Sequence, residues 1–433
     1  MKIAIFSDTY FPEAPSGVVT SIENFTKRMI KLGHTFLVFA PKYKGYVDKN
    51  RKGLEIYRYL SVPLASNKQS RFAIPRMIDM ISKTKKFSPD VIHIQTPFSI
   101  GWAGIMVSKV LKIPNIQTYH TYIPDFFQYV TLKKLTNLDR FAAKIRDKRL
   151  KIKEKRTSKR FRFSKFPKKF FSELKSMGED TKRIMRKTLP ELPKISEGVV
   201  WVFSRANYNS ADLVITPSKI LRHELRKNRI RPPMSVVSNG VEFSKIPKKK
   251  NFKLQNRIIH AGRFGHEKRI DVILKAMKIL EKKCPELILD IYGRGPAEIK
   301  LKNTAKQLKL KNVVFNEALP RNELLKTYKK YDLFVTASPM ETQGLVILEA
   351  MSAGLPVVAI DKLAAPEMVH HNKGGYIVKG FNEKEMANYI IKILNSEKIR
   401  RRLSKNAIEL AKEHDVDLMT KKLLDVYKRV SRM

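Results

Sequence analysis

The sequence predicts an α/β protein made of two doubly wound parallel sheets. Three observations carry that expectation. Short apolar runs alternate with helical stretches along most of the 433 residues, and such alternation implies right-handed crossovers between parallel strands. The alternation stops in a lysine-rich stretch and restarts after it. The length also calls for two domains, because single cores stop growing near ~250–300 residues. An apolar fraction of 43% supplies both cores and excludes a disordered chain.

In chain order, "KIAIF" reads as a buried strand. The loop 7–17 leads into a helix from about Val18 to Leu32, and "HTFLVFAP", "PDVIHIQ" and "PNIQTYH" read as further strands with helical stretches between them. "ADLVITPS" and "PPMSVVSNG" complete a first domain over 1–243. The lysine-rich residues 244–256 read as a linker. The second domain, 257–410, runs through "NRIIHAGRF", a helix to about Lys282, "LILDIYGRG", "NVVFNE", "DLFVTAS", a helix from about Gly344 and "LPVVAI". Residues 411–433 read as a helix that packs back on the first domain. One segment, 131–195, breaks the rhythm: strand patterns vanish, and 23 basic residues face 7 acidic ones.

Lysine and arginine total 87 against 40 acids, a formal net charge of +47. That excess points to polyanionic company: nucleic acid, anionic lipid or phosphorylated substrates. Cys284 is the single cysteine, which excludes an internal disulfide framework and argues for a reducing compartment. Only four apolar residues follow Lys2 before Ser7 and Asp8, too few for a signal-peptide core. No apolar run approaches the ~20 residues of a spanning helix. The expectation is a chain that is cytosolic or clings to a surface from the cytosolic side.

The strongest chemical signal is "ETQGLVILEAMSAGLPVVA". Glu341 follows a strand, Gly344 opens a helix, and Glu349 projects from that helix. Backbone N–H groups at a helix N-terminus seat anionic or hydroxyl-rich groups, and two carboxylates beside them suit a ligand carrying both phosphates and sugar hydroxyls. An ordinary helix start with surface acids gives the same letters.

This segment resembles the E-x7-E signature of retaining nucleotide-sugar glycosyltransferases of the two-Rossmann-domain (GT-B) fold. "IFSDTYFPEAPSGVVTSI", "IHIQTPFSIG", "YHTYIPDF", "ADLVITPS", "SNGVEF", "AGRFGHEKRID", "YGRGP" and "APEMV" extend the resemblance along nearly the whole chain. In detail, "SGVVTS", "HTY" and "ETQGL" are most similar to the bacterial diacylglycerol glycosyltransferases. The resemblance implies a GT-B architecture, two Rossmann-like domains facing a cleft, with a basic insertion in the N-terminal, acceptor-side domain.

It also implies roles. Arg263 and Lys268 correspond to the cations that stabilise the departing nucleoside diphosphate, which explains a transfer needing no metal and no cofactor beyond a UDP-sugar donor substrate. Glu341 corresponds to the residue beside the transferred sugar, and His120 to the histidine that contacts that sugar from the N-terminal domain. Gly17, Gln343, Gly344, Leu345 and Glu349 correspond to donor-binding positions, Glu349 at the ribose. Ser16-Gly17 stands where many relatives carry two glycines, and Asn316 where many carry one. His93 reads as structural, "GRGP" as an incomplete dinucleotide fingerprint, and Asp415–Asp417 as a solvated mimic of a metal-binding D-x-D. No His, Cys and carboxylate cluster has metal-site spacing.

The insertion interleaves Phe161 and Phe163 with Lys151, Lys153, Lys155, Arg156, Lys159 and Arg160. Cations near an anionic bilayer contribute ~1 kcal/mol each, and phenylalanines enter the acyl boundary. The same mixture would also grip the phosphates of a nucleic acid and stack on its bases, and a solvated basic hairpin accounts for it too. With the implied acceptor side, the expectation is an anionic membrane surface, a UDP-hexose donor and a diacylglycerol or related lipid acceptor. A phosphoinositide or cell-wall acceptor is the alternative, and a nucleic-acid-binding protein on a degenerate scaffold the rival class.

Overall fold

The computed structural model describes residues 1–12, 17–48, 51–64, 67–122 and 197–433. Met1–Pro63, Gln69–Tyr122 and Ser204–Met433 form one compact unit that holds both main sheets, and the other described residues belong to a second unit.

Seven strands make the first sheet. β1 (Lys2–Phe6), β2 (Thr35–Pro41) and β3 (Leu54–Tyr59) precede a two-stranded ribbon, β4 (Ser61–Leu64) with β5 (Asn67–Ala73); β6 (Val91–Ile94), β7 (Asn115–Thr118), β8 (Leu213–Thr216) and β9 (Met234–Val236) follow. The order is β3-β2-β1-β6-β7-β8-β9, parallel throughout. "VIHI" and "LVIT" are buried along their whole length, as strands covered by helices on both faces must be. The helices are α1 (Gly17–Lys31), α2 (Met77–Phe87), α3 (Ser99–Leu111), α4 (Glu197–Tyr208) and α5 (Lys219–Lys227). Asp8 organises the loop after β1: its buried carboxylate accepts from Thr96 and Ser99 hydroxyls and from the Ile100 and Gly101 amides at the start of α3.

The second sheet comprises β10 (Arg257–Ala261), β11 (Ile288–Tyr292), β12 (Val313–Asn316), β13 (Leu333–Val335), β14 (Val357–Ile360) and β15 (Gly375–Val378), in the order β12-β11-β10-β13-β14-β15. Its helices are α6 (Ile270–Lys283), α7 (Glu298–Gln307), α8 (Arg321–Thr327), α9 (Leu345–Ser352), α10 (Ala365–Val369), α11 (Glu383–Leu394) and α12 (Glu397–Lys412). Strand order reverses between β1 and β6 and between β10 and β13. Two Rossmann-like domains result.

The C-terminal helix α13 (Val416–Val430) buries Val416, Met419, Leu423, Val426, Tyr427 and Val430 in a cluster with Ile3, Ile22, Met29 and Ile116 of the first sheet and α1. The chain crosses between the sheets twice, and the crossings pair: Val241 N–H donates to the His414 oxygen, and Val416 N–H to the Val241 oxygen, both at 2.9 Å. Gly240 makes this approach possible. Its φ is +75°, and a Cβ there would stand 2.9 Å from Val416.

One feature differs from the sequence reading. β3 and β15 were not expected as strands; "LEIYRY" is mostly half-exposed and charged, and "GYIV" is short and follows a glycine. Residues 244–256 connect the two sheets, and Lys249 within them is buried: its ammonium donates to the Tyr331 oxygen and lies 3.3 Å from Asp332. Within 411–433 the chain forms one helix, α13, which packs on the first domain.

Candidate active site

The candidate residues gather at the carboxyl ends of strands flanking the order reversals, where open α/β sheets hold ligands. β10 runs through Gly262 and Arg263 into a 3₁₀ turn, His266–Lys268. From that turn Lys268 Nζ reaches Glu341 Oε1 at 2.5 Å, in the loop between β13 and α9. Burial pushes the Glu341 carboxyl up, but the Lys268 charge and hydrogen bond outweigh it and hold the group below the ordinary glutamate value. Arg263, half-exposed, pairs with Glu267 at 2.5 Å. Both expected diphosphate cations thus sit on one short loop, each beside a carboxylate.

Beneath this loop lies His260, a residue the sequence reading passed over. Its Nδ1 is 2.9 Å from the Val335 oxygen, so that nitrogen carries the proton, and Nε2 is buried without a hydrogen-bond partner. Burial pushes its pKa down to about 4. A lone histidine inside the apolar run "RIIHA" was the available signal.

Gly344 starts α9 at φ +75°, and a Cβ there would stand 2.8 Å from Ile347 Cδ1. Glycine lets the chain turn directly from the loop into the helix, whose first N–H groups lack intrahelical acceptors. Gly17, the first residue of α1, faces this start: a Cβ on it would be 3.6 Å from Leu345 Cδ1. Gly17, Gly344 and Leu345 are therefore brought together.

The loop is held from the first domain. Thr342 Oγ1 donates to the His120 oxygen at 2.7 Å, and Ser218 Oγ to the Thr342 oxygen at 2.8 Å. Gln343 is buried; its Nε2 donates to Ser238 Oγ, and its Oε1 accepts from Asn239 N–H at 2.8 Å. Both ends of that amide are engaged with the segment before Gly240. On the far side, Glu367 of α10 accepts from the Lys219 and Ile220 amides at 2.9 Å each, an anionic cap on α5.

His120 follows β7, with its Nε2 2.6 Å from Gln95 Oε1, its Nδ1 buried without a partner at full hydrogen-bond geometry, and the Asn239 side chain interacting with the ring. Burial lowers its pKa to about 4, so it is neutral near pH 7. His93 is buried between Tyr427 and Thr118. Glu349, on α9, is buried and engaged: Arg321 Nε donates to its Oε1 at 2.9 Å. Burial raises its pKa against the opposing effect of Arg321. Arg321 also lies 3.5 Å from Glu242, which is 3.5 Å from Arg28. The asparagine at 316 donates to Asp290 Oδ1 at 3.0 Å.

Asp415 caps α13 by accepting from Asp417 N–H, and Asp417 pairs with Arg28. Among the described residues no group of three or more His, Cys, Asp and Glu is arranged to hold a metal ion. Lys151, Lys153, Lys155, Arg156, Lys159, Arg160, Phe161 and Phe163 lie outside the described residues.

Residues 242–410 match the family described as glycosyl transferases group 1, and residues 15–165 match glycosyltransferase family 4. The chain is 28% identical, over 91% of its length and 78% of the relative's, to alpha-monoglucosyldiacylglycerol synthase of Streptococcus pneumoniae (strain ATCC BAA-255 / R6). It is 27% identical to the alpha-monoglucosyldiacylglycerol synthase of Acholeplasma laidlawii, covering 99% of this chain and 96% of that one. The crystal structure of Anabaena Alr3699/HepE in complex with UDP and glucose superposes with a TM-score of 0.68 at 16% identity, covering 99% of this chain and all of that one.

Proposed function

We propose that the chain, whose residues 242–410 match the group 1 glycosyl transferases, is a GT-B glycosyltransferase that transfers a hexose, glucose or galactose, from a UDP-sugar to 1,2-diacylglycerol with retention at the anomeric carbon. The observation that carries the reading is the Lys268–Glu341 pair beside the start of α9, with Arg263 on the same loop. Two relatives named as alpha-monoglucosyldiacylglycerol synthases, matching most of the chain, support the lipid acceptor.

In the proposed reaction the bond from the anomeric carbon to the diphosphate oxygen breaks, and one to the acceptor hydroxyl oxygen forms on the same face. The hydroxyl proton passes to the departing diphosphate. Arg263 and Lys268 offset the charge that develops on that group, which fixed cations do without reorganisation. Glu341, kept ionised by Lys268, accepts sugar hydroxyls. Glu349 holds the ribose, and neutral His120 meets the sugar from the other domain.

No helix among the described residues is long and apolar enough to cross a membrane. The proposed enzyme reaches its lipid peripherally, at the cytoplasmic face, through the basic insertion. Purified protein would be incubated with labelled UDP-glucose or UDP-galactose and mixed lipid dispersions, and the product identified by mass spectrometry and its anomeric configuration by NMR. An α-hexosyl diacylglycerol supports the proposal. Transfer only to a phosphoinositide or a cell-wall intermediate, or a β-linked product, overturns it.

A further inference from the structure

A buried chain of hydrogen bonds runs from α13 to His120. Tyr427 Oη lies 2.6 Å from His93 Nδ1, and Gln95 Nε2 lies 3.1 Å from the same nitrogen. His93 Nε2 is 2.7 Å from Thr118 Oγ1, and Gln95 Oε1 is 2.6 Å from His120 Nε2. Tyr427, His93, Gln95 and Thr118 are all buried, so these groups depend on one another rather than on solvent.

The proton positions follow from what each atom can do. An amide nitrogen only donates, so His93 Nδ1 accepts and the Tyr427 hydroxyl also donates to it. The His93 proton then sits on Nε2, facing Thr118. An amide oxygen only accepts, so His120 carries its proton on Nε2. What remains on His120 is the lone pair of Nδ1, buried and without a partner at full hydrogen-bond geometry, with the Asn239 side chain interacting with the same ring. The same residue's main-chain oxygen accepts from Thr342, next to Glu341.

We infer that Gln95 is a positioning residue that fixes His120 as its Nε2–H tautomer, making Nδ1 a preset acceptor for a hydroxyl of the transferred sugar. The sugar ligand rests on the glycosyltransferase reading above; the tautomer does not. A buried acceptor of this kind discriminates between a sugar that offers the hydroxyl and one that lacks it, because it is left unpaired by the second.

The full chain labelled with ¹⁵N-histidine would be examined by NMR, with His120→Asn assigning the signals. The wild type should show His120 Nε2 bearing the proton and Nδ1 bare. Gln95→Leu should give a mixture of tautomers. It should also lower kcat/KM for UDP-glucose about tenfold, the scale of one neutral hydrogen bond, and reduce discrimination against the mono-deoxy UDP-glucose that the wild type uses worst. An Nδ1–H tautomer in the wild type, or unchanged tautomer and discrimination in Gln95→Leu, overturns the inference. Should Gln95→Leu fail to fold, the wild-type tautomer decides. An absence of glycosyl transfer would strike the proposed function while leaving the tautomer measurement standing.

Discussion

Lys268 Nζ lies 2.5 Å from Glu341 Oε1, joining two loops that are 73 residues apart in the chain. Both partners are largely shielded, with side-chain exposures of 23% and 12%. Shielding on this scale gives the pair a larger energy than a surface ion pair, and makes its breakage costly, because one charge then remains buried alone. The pair therefore sets the charge state of the candidate site and contributes to holding its loops.

Its pH dependence follows from the direction of the Glu341 shift. The carboxyl is held below the ordinary 4.5, so its stabilising contribution is full above that value and is lost as pH falls through the folded pKa. In Lys268→Met burial loses its strongest counterweight, with only the Ser338 hydrogen bond and the His260 interaction left to oppose it, and the Glu341 pKa should rise. At pH 7 the variant should be less stable than wild type by ~1–3 kcal/mol, discounted from a fully buried pair for the exposure of Lys268. Melting temperatures across an acid series should converge as pH drops through both carboxyl values. A gap that stays constant in acid would mean that Glu341 is not the group responsible.

The cation assignment makes a kinetic prediction. Arg263→Ala or Lys268→Ala should lower turnover by ~10²-fold or more, the scale of one preorganised electrostatic donor. Chelation with EDTA should leave wild-type turnover intact. Because Arg263 is paired with Glu267, Glu267→Gln should tighten UDP binding in calorimetry by releasing that guanidinium. Turnover that survives both alanine substitutions, or that disappears with EDTA, would show that the two cations do not serve the leaving group.

How far the letters reach is visible in these residues. "VIHI", "LVIT" and "VVAI" announce inner strands because burial on both faces demands continuous apolar runs. The edge strand β3 carries Glu55 and Arg58 and has no such run. Lys249 looked like part of a solvated linker, because its acidic partner, Asp332, lies 83 residues away. The stretch Glu341–Glu349 is contiguous and was readable. The partners of its members were not: Gln343 meets Ser238 and Asn239 over a hundred residues back, and Glu349 meets Arg321 from another helix. Side-chain pairing across such separations is decided by tertiary packing and leaves no local pattern.

The two acids of the motif should separate kinetically. Glu341→Gln should depress kcat strongly, because this residue is proposed to lie beside the reacting sugar. Glu349→Gln should mainly raise KM for the donor, because a ribose contact is shared by ground and transition states. Burial already raises the Glu349 pKa, so its neutral analogue should fold at little cost in stability. Steady-state kinetics with UDP-glucose decide the matter: reversed signatures would exchange the two roles.

The basic segment 131–195 should recruit the enzyme to anionic membrane. Its 23 basic and 7 acidic residues, interleaved with phenylalanines, motivate the prediction, with ~1 kcal/mol available per engaged cation. Salt screens attraction to headgroups but not the insertion of phenylalanine, so the two contributions can be told apart. Vesicle co-sedimentation should rise with the anionic lipid fraction and fall with salt, though not to zero. Replacing Lys151, Lys153, Lys155, Arg156, Lys159 and Arg160 with glutamine should reduce vesicle binding and lipid glycosylation together. Slow hydrolysis of the donor by water should be spared, because Lys268, Glu341 and their loops are untouched. A variant that binds anionic vesicles as well as wild type, yet loses affinity for single-stranded RNA, would transfer the segment's function from membrane to nucleic acid.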